Sequence, residues 1–359
     1  MTLNPPTAVT DRETWDRALN QLPAPQTLQS WDWGDFKSRW GWQPTRLLWA
    51  DGTGRPLAAA QILRRPIPKT PWAMFYLPRG PILDFSDLVL VSQVLRALAD
   101  FGRSRRGLFI KIDPFIPIAA EPDDPLPLPG GQACRALLAE LGWHYAPQQI
   151  QFKNTVLLDI GLDEEALLAA MKAKWRYNIR LAGRKGAVIK TGGPADLADF
   201  YQLYAQTAER DRFLIRPAAY YLDVWEQYLQ AGRAELLLAT VEQTPVAGLI
   251  LFYYGQTAWY MYGASSGQHR QAMPNHLLQW AAIRAAKSRG CTGYDLWGAP
   301  DVFEQTDSMW GVYRFKMGFG GQTVQTLGAY DLPLQPLPYR LYNTLLPRLL
   351  SVTRKLAAR

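Results

Sequence analysis

Between Ala166 and Lys190 the chain carries Lys172, Lys174, Arg176, Arg180, Arg184, Lys185 and Lys190, and no acidic residue. A solvated helix face usually mixes both signs, because like charges four residues apart repel. Lys172, Arg176 and Arg180 are spaced four apart and would line one side of a helix. Such an array suits a polyphosphate backbone such as tRNA; the plainer reading is a basic helix neutralised by acids elsewhere in the fold. Arg216 precedes Pro217, a residue suited to a first helical turn, and Tyr220 follows about one turn later. A guanidinium fork with a phenolic hydroxyl can grip a phosphate, although Arg and Tyr also commonly decorate helix starts. Trp31, Trp33, Trp40 and Trp42 surround Lys37, a grouping able to stack a base and hold a phosphate or simply to pack a core. From Met309 to Gly321, Arg314 and Lys316 flank Phe315 ahead of Gly318, Gly320 and Gly321. Glycines let a ligand approach the backbone, and the Lys316 ammonium could steady a developing oxyanion. The alternative there is a strand-entry turn with surface charges.

Other chemistries find little support. The three histidines, His144, His269 and His276, form no Ser-His-Asp or Cys-His arrangement with neighbours in sequence. His276 sits at a helix start and reads as structural. No His/Cys/carboxylate cluster has metal-ligand spacing, so no metal is expected, and no cofactor is called for. Cys134 and Cys291 offer neither a CxxC pair nor a disulfide framework, which suits a reducing compartment.

The elements that must position these residues belong to a chain of 359 residues, long enough for two cores. Hydrophobic residues make up 48% and charged residues 19%, which fits a folded globular protein. A net charge of +8 favours anionic partners, whether nucleic acid, phosphorylated substrate or lipid headgroup. Met1 to Arg12 lacks the apolar core of a signal peptide and no stretch approaches a membrane span, so a cytoplasmic protein is expected.

The order of elements repeats. Leu47–Arg65 reads strand, turn, strand; Ala73–Pro81 a third strand; Asp87–Arg105 a helix; and Gly107–Pro114 a strand. Leu236–Tyr254, Ala258–Ser266, Asn275–Ser288 and Thr292–Pro300 repeat that order, with turns at Asp51-Gly52 and Gln243-Thr244-Pro245. The pattern predicts an α/β (α+β) fold of two tandem acetyltransferase (GNAT)-like domains, mixed central sheets flanked by helices. Residues 1–155 form the first, with a C-terminal segment as a candidate to return to it; residues 156–330 form the second. Asp163 is expected to cap one long helix carrying the basic array, with Leu162 and Leu167 as a hydrophobic staple. The tail, residues 331–359, is basic and amphipathic, and would lie on anionic membrane or pack on its own domain.

Seven segments in order, "LPRGPIL", "KIDP", "KAKWRYNIRLAGRKG", "RPAAYY", "YMYGASS", "MPNHLLQWAAI" and "RFKMGFGG", resemble the Fem (FemABX) family of peptidoglycan bridge-forming aminoacyltransferases over roughly Ser30 to Gly328. The resemblance implies two GNAT-like domains and transfer of an amino acid from aminoacyl-tRNA to the peptide amine of a muropeptide precursor, UDP-linked or lipid-linked. It implies that Lys37, Arg216 and Tyr220 hold the uridine-diphosphate end, that Tyr260 or Tyr262 lines the peptide channel, and that Asp113 is a family acid. Phe315 and Lys316 then stand at the transfer centre, and Lys172, Lys174, Arg176, Arg180, Arg184 and Lys185 contact tRNA. The run from Asp163 to Gly186 leaves no room for the helical hairpin that some Fem proteins carry, so the compact, arm-less form is expected, as a monomer in peripheral contact with the inner membrane face. The rival readings are an acyl-CoA-dependent N-acyltransferase and a non-catalytic tRNA- or precursor-binding protein. The first would need a glycine-rich pyrophosphate turn, whose spacing neither "RGPILDFSD" nor "GASSGQHRQAMPN" has.

Overall fold

A computed structural model describes residues 3–120 and 128–343. The chain divides into two compact units, the first built from residues 1–118, 127–151 and 326–359, the second from residues 119–126 and 152–325.

In the first unit the sheet order is Thr7–Ala8, Gln43–Ala50, Pro56–Pro66, Ala73–Leu77, Gly107–Ile112, Tyr330–Pro333 and His144–Tyr145, with Ile82–Leu83 also paired to Pro56–Pro66. Ala73–Leu77 and Gly107–Ile112 run parallel. A parallel pair needs a crossover, and the helix Leu88–Ser104 supplies it. Asp87 caps that helix by accepting from the Leu90 amide, and Val91, Val94, Leu95 and Leu98 form its buried stripe.

The second unit repeats the plan. Its strands run Val188–Gly192, Ala234–Val241, Thr244–Tyr254, Thr257–Ser265, Gly293–Asp295, Asn154–Asp159 and Gln322–Thr326 across the sheet. The parallel pair is Thr257–Ser265 with Gly293–Asp295, and the crossover is the helix Pro274–Ser288. Leu249 and Leu251 face that helix's core layer while Ile250 and Phe252 are buried too, which explains the unbroken apolar run there.

Three expectations need correction. The hairpin turn lies at Glu242 and Gln243, both with positive φ, and Thr244 and Pro245 are already strand. Pro245 is tolerated because it pairs with Thr240 at an irregularity in the register. The basic helix is two helices, Glu164–Ala170 and Ala173–Arg184. Asp163 caps the first as expected, but the backbone turns extended at Met171 and Lys172, where the Lys172 amide donates to the Gly318 carbonyl at 3.0 Å. Finally, the tail does not begin as helix. Tyr330–Pro333 is a strand held between Gly107–Ile112 and His144–Tyr145, fixed by an ion pair of Asp331 with Lys111 at 2.8 Å, both buried. Helix follows over residues 336–343, and residues 344–359 lie outside the described residues.

Candidate functional site

The parallel ladder of the second unit is short. Thr257, Ala258 and Trp259 pair with Gly293, Tyr294 and Asp295, and no further. Beyond Asp295 the chain follows Asn154–Asp159 instead, with the Leu296 and Ala299 amides donating to the carbonyls of Val156 and Asn154. Two cavities of about 340 and 360 Å³ adjoin the strand beyond this point and share Arg210, Asp211, Ser265, Asn275 and Phe315 as lining. Phe315 comes from the helix Trp310–Met317.

A register shift between Ile250 and Leu251 decides which tyrosine faces which layer. Tyr262 pairs with Ile250 but Tyr260 with Leu251, so residues two apart oppose adjacent partners and point to opposite faces. Tyr262 packs edge-on to Tyr204, Tyr221 and Trp225 at 5.4–6.0 Å. Tyr260 lines the cavity with Phe315 and Gln279, and burial pushes its hydroxyl up to about 12, so it is a neutral donor at physiological pH. The Tyr260 hydroxyl occupies space beside Gly263 that a Cβ would enter at 1.9 Å. Gly263→Ala is therefore expected to destabilise by about 1–3 kcal/mol through overpacking, and to cost less when made in a Tyr260→Ala background. Urea midpoints around this double-mutant cycle check it.

Lys316 lines neither cavity. It is 3% exposed, and its ammonium donates to the Gly298 carbonyl at 2.6 Å and to that of Trp297. The loop is shaped for this: Trp297 and Gly298 both adopt positive φ, and the Trp297 amide donates to Asp295 Oδ1 at 2.8 Å. At Gly298 a Cβ would meet the Phe152 ring at 2.8 Å. Burial lowers the Lys316 ammonium to about 7, against a smaller upward pull from Asp295. Between pH 7 and 10.5, the ordinary lysine value, the unfolded chain holds a proton that the folded chain has released. Stability then rises with pH, by up to about 1.4 kcal/mol per pH unit. Below pH 7 both states are protonated and the cost of burying the charge is full. Denaturant titrations at pH 6 and 9 are expected to show a much larger rise in the wild type than in Lys316→Met.

Arg216 and Tyr220 meet as their spacing suggests. The Arg216 guanidinium lies 4.6 Å from the Tyr220 ring centre, at the start of the helix Ala218–Gln230. Tyr220 touches Tyr221 at 5.6 Å, and Tyr221 touches Tyr262, so Arg216, Tyr220 and Tyr262 form one group while Tyr260 and Phe315 form another. The Arg216 amide donates to the Tyr221 hydroxyl at 3.2 Å, which fixes the turn.

In the first unit, Lys37 and Asp113 lie along one line of side chains. The Lys37 ammonium sits 5.5–5.7 Å from the rings of Trp33, Phe36 and Trp42. Trp42 packs on Tyr76 at 6.3 Å, and the Tyr76 hydroxyl donates to Asp113 Oδ2 at 2.7 Å. The Arg79 amide donates to the other carboxylate oxygen. Burial raises Asp113 to about 6 despite Arg79 and Tyr76, which pull it down. Trp31 stands apart, stacked on the Arg46 guanidinium at 3.5 Å.

The basic array divides. Lys172, Lys174, Arg180, Arg184 and Lys185 are exposed, with Lys172 6.0 Å from the Trp175 ring and Arg184 5.7 Å from that of Tyr177. Arg176 turns inward and donates to the carbonyls of Leu168, Ala169 and Met171; it caps the preceding helix end, where a cation opposes the dipole. The chain enters the strand Val188–Gly192 directly after this helix, so no hairpin arm is present here.

Two further residues line these cavities: His276, which the sequence reads as a structural helix-start residue, and Arg210, which it does not single out. His276 lines the larger cavity, wedged between Trp175 at 5.4 Å and Phe315 at 5.2 Å. Its Nε2 lies 3.1 Å from Asn178 Nδ2, and burial, with Lys174, lowers it to about 4, so the ring is neutral at physiological pH. Arg210 lines both cavities and is held by Asp211 at 2.8 Å and by the Ser265 carbonyl at 2.6 Å. No sequence signal marks either residue; both come from helix ends that flank a cavity only in the fold.

Comparison with known proteins gives a consistent result. Residues 10–244 and 240–346 match the profile described as FemAB family. A lipid II:glycine glycyltransferase of Staphylococcus saprophyticus is 24% identical, over 97% of this chain and 98% of its own length. One of the same name from Staphylococcus aureus is 23% identical, over 95% and 97%. Among solved structures, FemX superposes with a TM-score of 0.83 at 21% identity, covering 95% of this chain and 99% of that one. A tandem GNAT protein from the clavulanic acid biosynthesis pathway gives 0.55 at 15% identity, covering 93% and 99%.

Proposed function

The chain belongs to the FemAB family, and from that premise we propose that it is an aminoacyltransferase that builds peptidoglycan bridges. The donor is an aminoacyl-tRNA. The acceptor is the peptide amine of a muropeptide precursor, either lipid-linked, as the named substrate of its glycyltransferase relatives is, or UDP-linked. The observation that carries this reading is the pairing, on one short helix, of Phe315 in the wall of both cavities with a buried Lys316 lowered to about 7.

The amine nitrogen attacks the ester carbonyl carbon. A C–N bond forms, the bond to the ribose oxygen breaks, and the amine's proton ends on that oxygen. Holding both reactants supplies the proximity term, which can lower a barrier by roughly 7–11 kcal/mol. The positive charge of the Lys316 ammonium, held on the Trp297 and Gly298 carbonyls one residue from Phe315 in the cavity wall, stabilises the negative charge that develops on the carbonyl or ribose oxygen. Phe315 shapes the cavity, and the Tyr260 hydroxyl offers it a neutral donor. Arg216 and Tyr220 take the precursor's diphosphate, and the exposed cations from Lys172 to Lys185 meet the tRNA. Asp113, whose oxygens hold Tyr76 and the Arg79 backbone, fixes the Tyr76 ring on which Trp42 packs. Incubation of the protein with a mixed aminoacyl-tRNA pool and the muropeptide, with mass spectrometry of the product, tests the proposal. A mass gain of one amino-acid residue that depends on charged tRNA is expected; no gain, or a gain from acetyl-CoA alone, overturns it.

A further inference from the structure

One end of the first unit's sheet gathers three separate pieces of chain. Pro66 pairs with Ala73, Ala73 with Gly107, and Phe109 with Pro333, and the Gln335 amide donates to the Leu108 carbonyl at 3.1 Å. The hairpin tip 67–72, the turn at Arg105–Arg106 and the helix over residues 336–343 therefore share that end. The helix packs inward through aromatics: Tyr339 and Tyr342 lie 5.3 and 5.7 Å from Phe109, beside Ile67 and Trp72. Its outward side carries Leu337, 77% exposed, and Leu341, 58% exposed, one turn apart. A single exposed leucine needs no explanation; two stacked on a helix whose aromatic face is already used form a ridge. The rim is basic. Arg65, Lys69, Arg105 and Arg106 are exposed, and residues 61–74, 101–112 and 334–343 contain no aspartate or glutamate.

We infer that this end of the first unit docks on an anionic bilayer, with Leu337 and Leu341 entering the interface and Arg65, Lys69, Arg105 and Arg106 meeting the headgroups. Weak apolar insertion and a cluster of cations each bind a membrane marginally, and together they hold. A polyphosphate would satisfy the cations but give the leucines nothing. Among the described residues no helix is long and apolar enough to cross a membrane, so the contact is one of lying on the surface. The position fits a lipid-linked acceptor: Arg65 lies 5.4 Å from the Trp42 ring, and the same ring faces Lys37 at 5.5 Å. That last link rests on the proposed function; the docking itself does not.

Flotation of the full chain with phosphatidylglycerol–phosphatidylcholine vesicles tests the inference. The wild type is expected to float with these vesicles and to stay behind with phosphatidylcholine alone or in high salt. Leu337→Ser combined with Leu341→Ser is expected to cut partitioning about tenfold, and Lys69→Glu or Arg106→Glu, each a change of two charges, about thirtyfold. Binding to tRNA, by filter retention, is expected to be unchanged in the leucine variant. Flotation that survives loss of both leucines overturns the inference, as does loss of tRNA binding without loss of flotation in Lys69→Glu. Transfer to the lipid-linked precursor in detergent and to the soluble UDP-linked precursor, run in parallel, separates the two claims. Wild-type protein that floats but transfers nothing sinks the proposed function and leaves the docking standing.

Discussion

Lys316→Met is expected to lower kcat about 10²–10³-fold, the usual consequence of removing one preorganised donor to a developing oxyanion, with little change in the KM of either substrate. The reason lies in where the ammonium sits. Two carbonyls and a neighbouring carboxylate fix it in place, so it needs no reorganisation as charge develops. A pH profile separates a direct role from a structural one. With Lys316 near 7, the wild type loses the cation as pH rises through neutrality, which gives kcat a falling alkaline limb. Lys316→Arg keeps its charge far above that range and should push the limb upward, at reduced rate because the fork does not fit a space shaped for one nitrogen. A methionine variant with wild-type kcat, or an arginine variant whose limb stays put, would refute the assignment. Single-turnover kinetics with preformed complexes guards against a masked chemical step.

How much of this was legible beforehand differs by level. The β-β-β-α-β repeat was visible because strand runs such as Leu236–Tyr254 and helix runs such as Asp87–Arg105 have distinct periods, and each parallel pair then requires a crossover. Helix continuity through Met171 and Lys172 was misjudged. Nothing local forbids helix there; the break is set by Gly318, about 150 residues away, whose carbonyl takes the Lys172 amide. The tail was misjudged for a like reason, since Tyr330–Pro333 becomes strand by joining a sheet edge formed far upstream. Charge arrays mislead in their own way. Arg176 fits the four-residue spacing, yet its guanidinium satisfies carbonyls of the preceding helix end. The choice between Tyr260 and Tyr262 could not be made from alternation at all, because both would share a face in a regular strand; a one-residue bulge separates them. His276 was set aside as a helix-start residue, and only the folding of the helices Ala173–Arg184, Pro274–Ser288 and Trp310–Met317 together puts it beside Phe315.

Arg216→Met is expected to raise the KM for the precursor about 10- to 150-fold, the range set by 1.5–3 kcal/mol for hydrogen bonds to a charged partner, with kcat and the KM for aminoacyl-tRNA nearly unchanged. The diphosphate is remote from the reacting atoms and is held alike in ground and transition states, so its loss appears in KM. The guanidinium is presented over the Tyr220 ring, at the N-terminus of a 13-residue helix whose dipole favours an anion. Arg216→Lys keeps the charge but loses the flat, bidentate fork, and should recover only part of the affinity. Tyr220→Phe preserves the ring under the guanidinium and removes one donor, so a smaller rise is expected, which separates hydrogen bonding from packing. A truncated acceptor peptide without the nucleotide supplies the decisive comparison. Wild type and Arg216→Met should use it equally poorly, because neither has a diphosphate to hold; a persistent difference between them would place Arg216 in some other task.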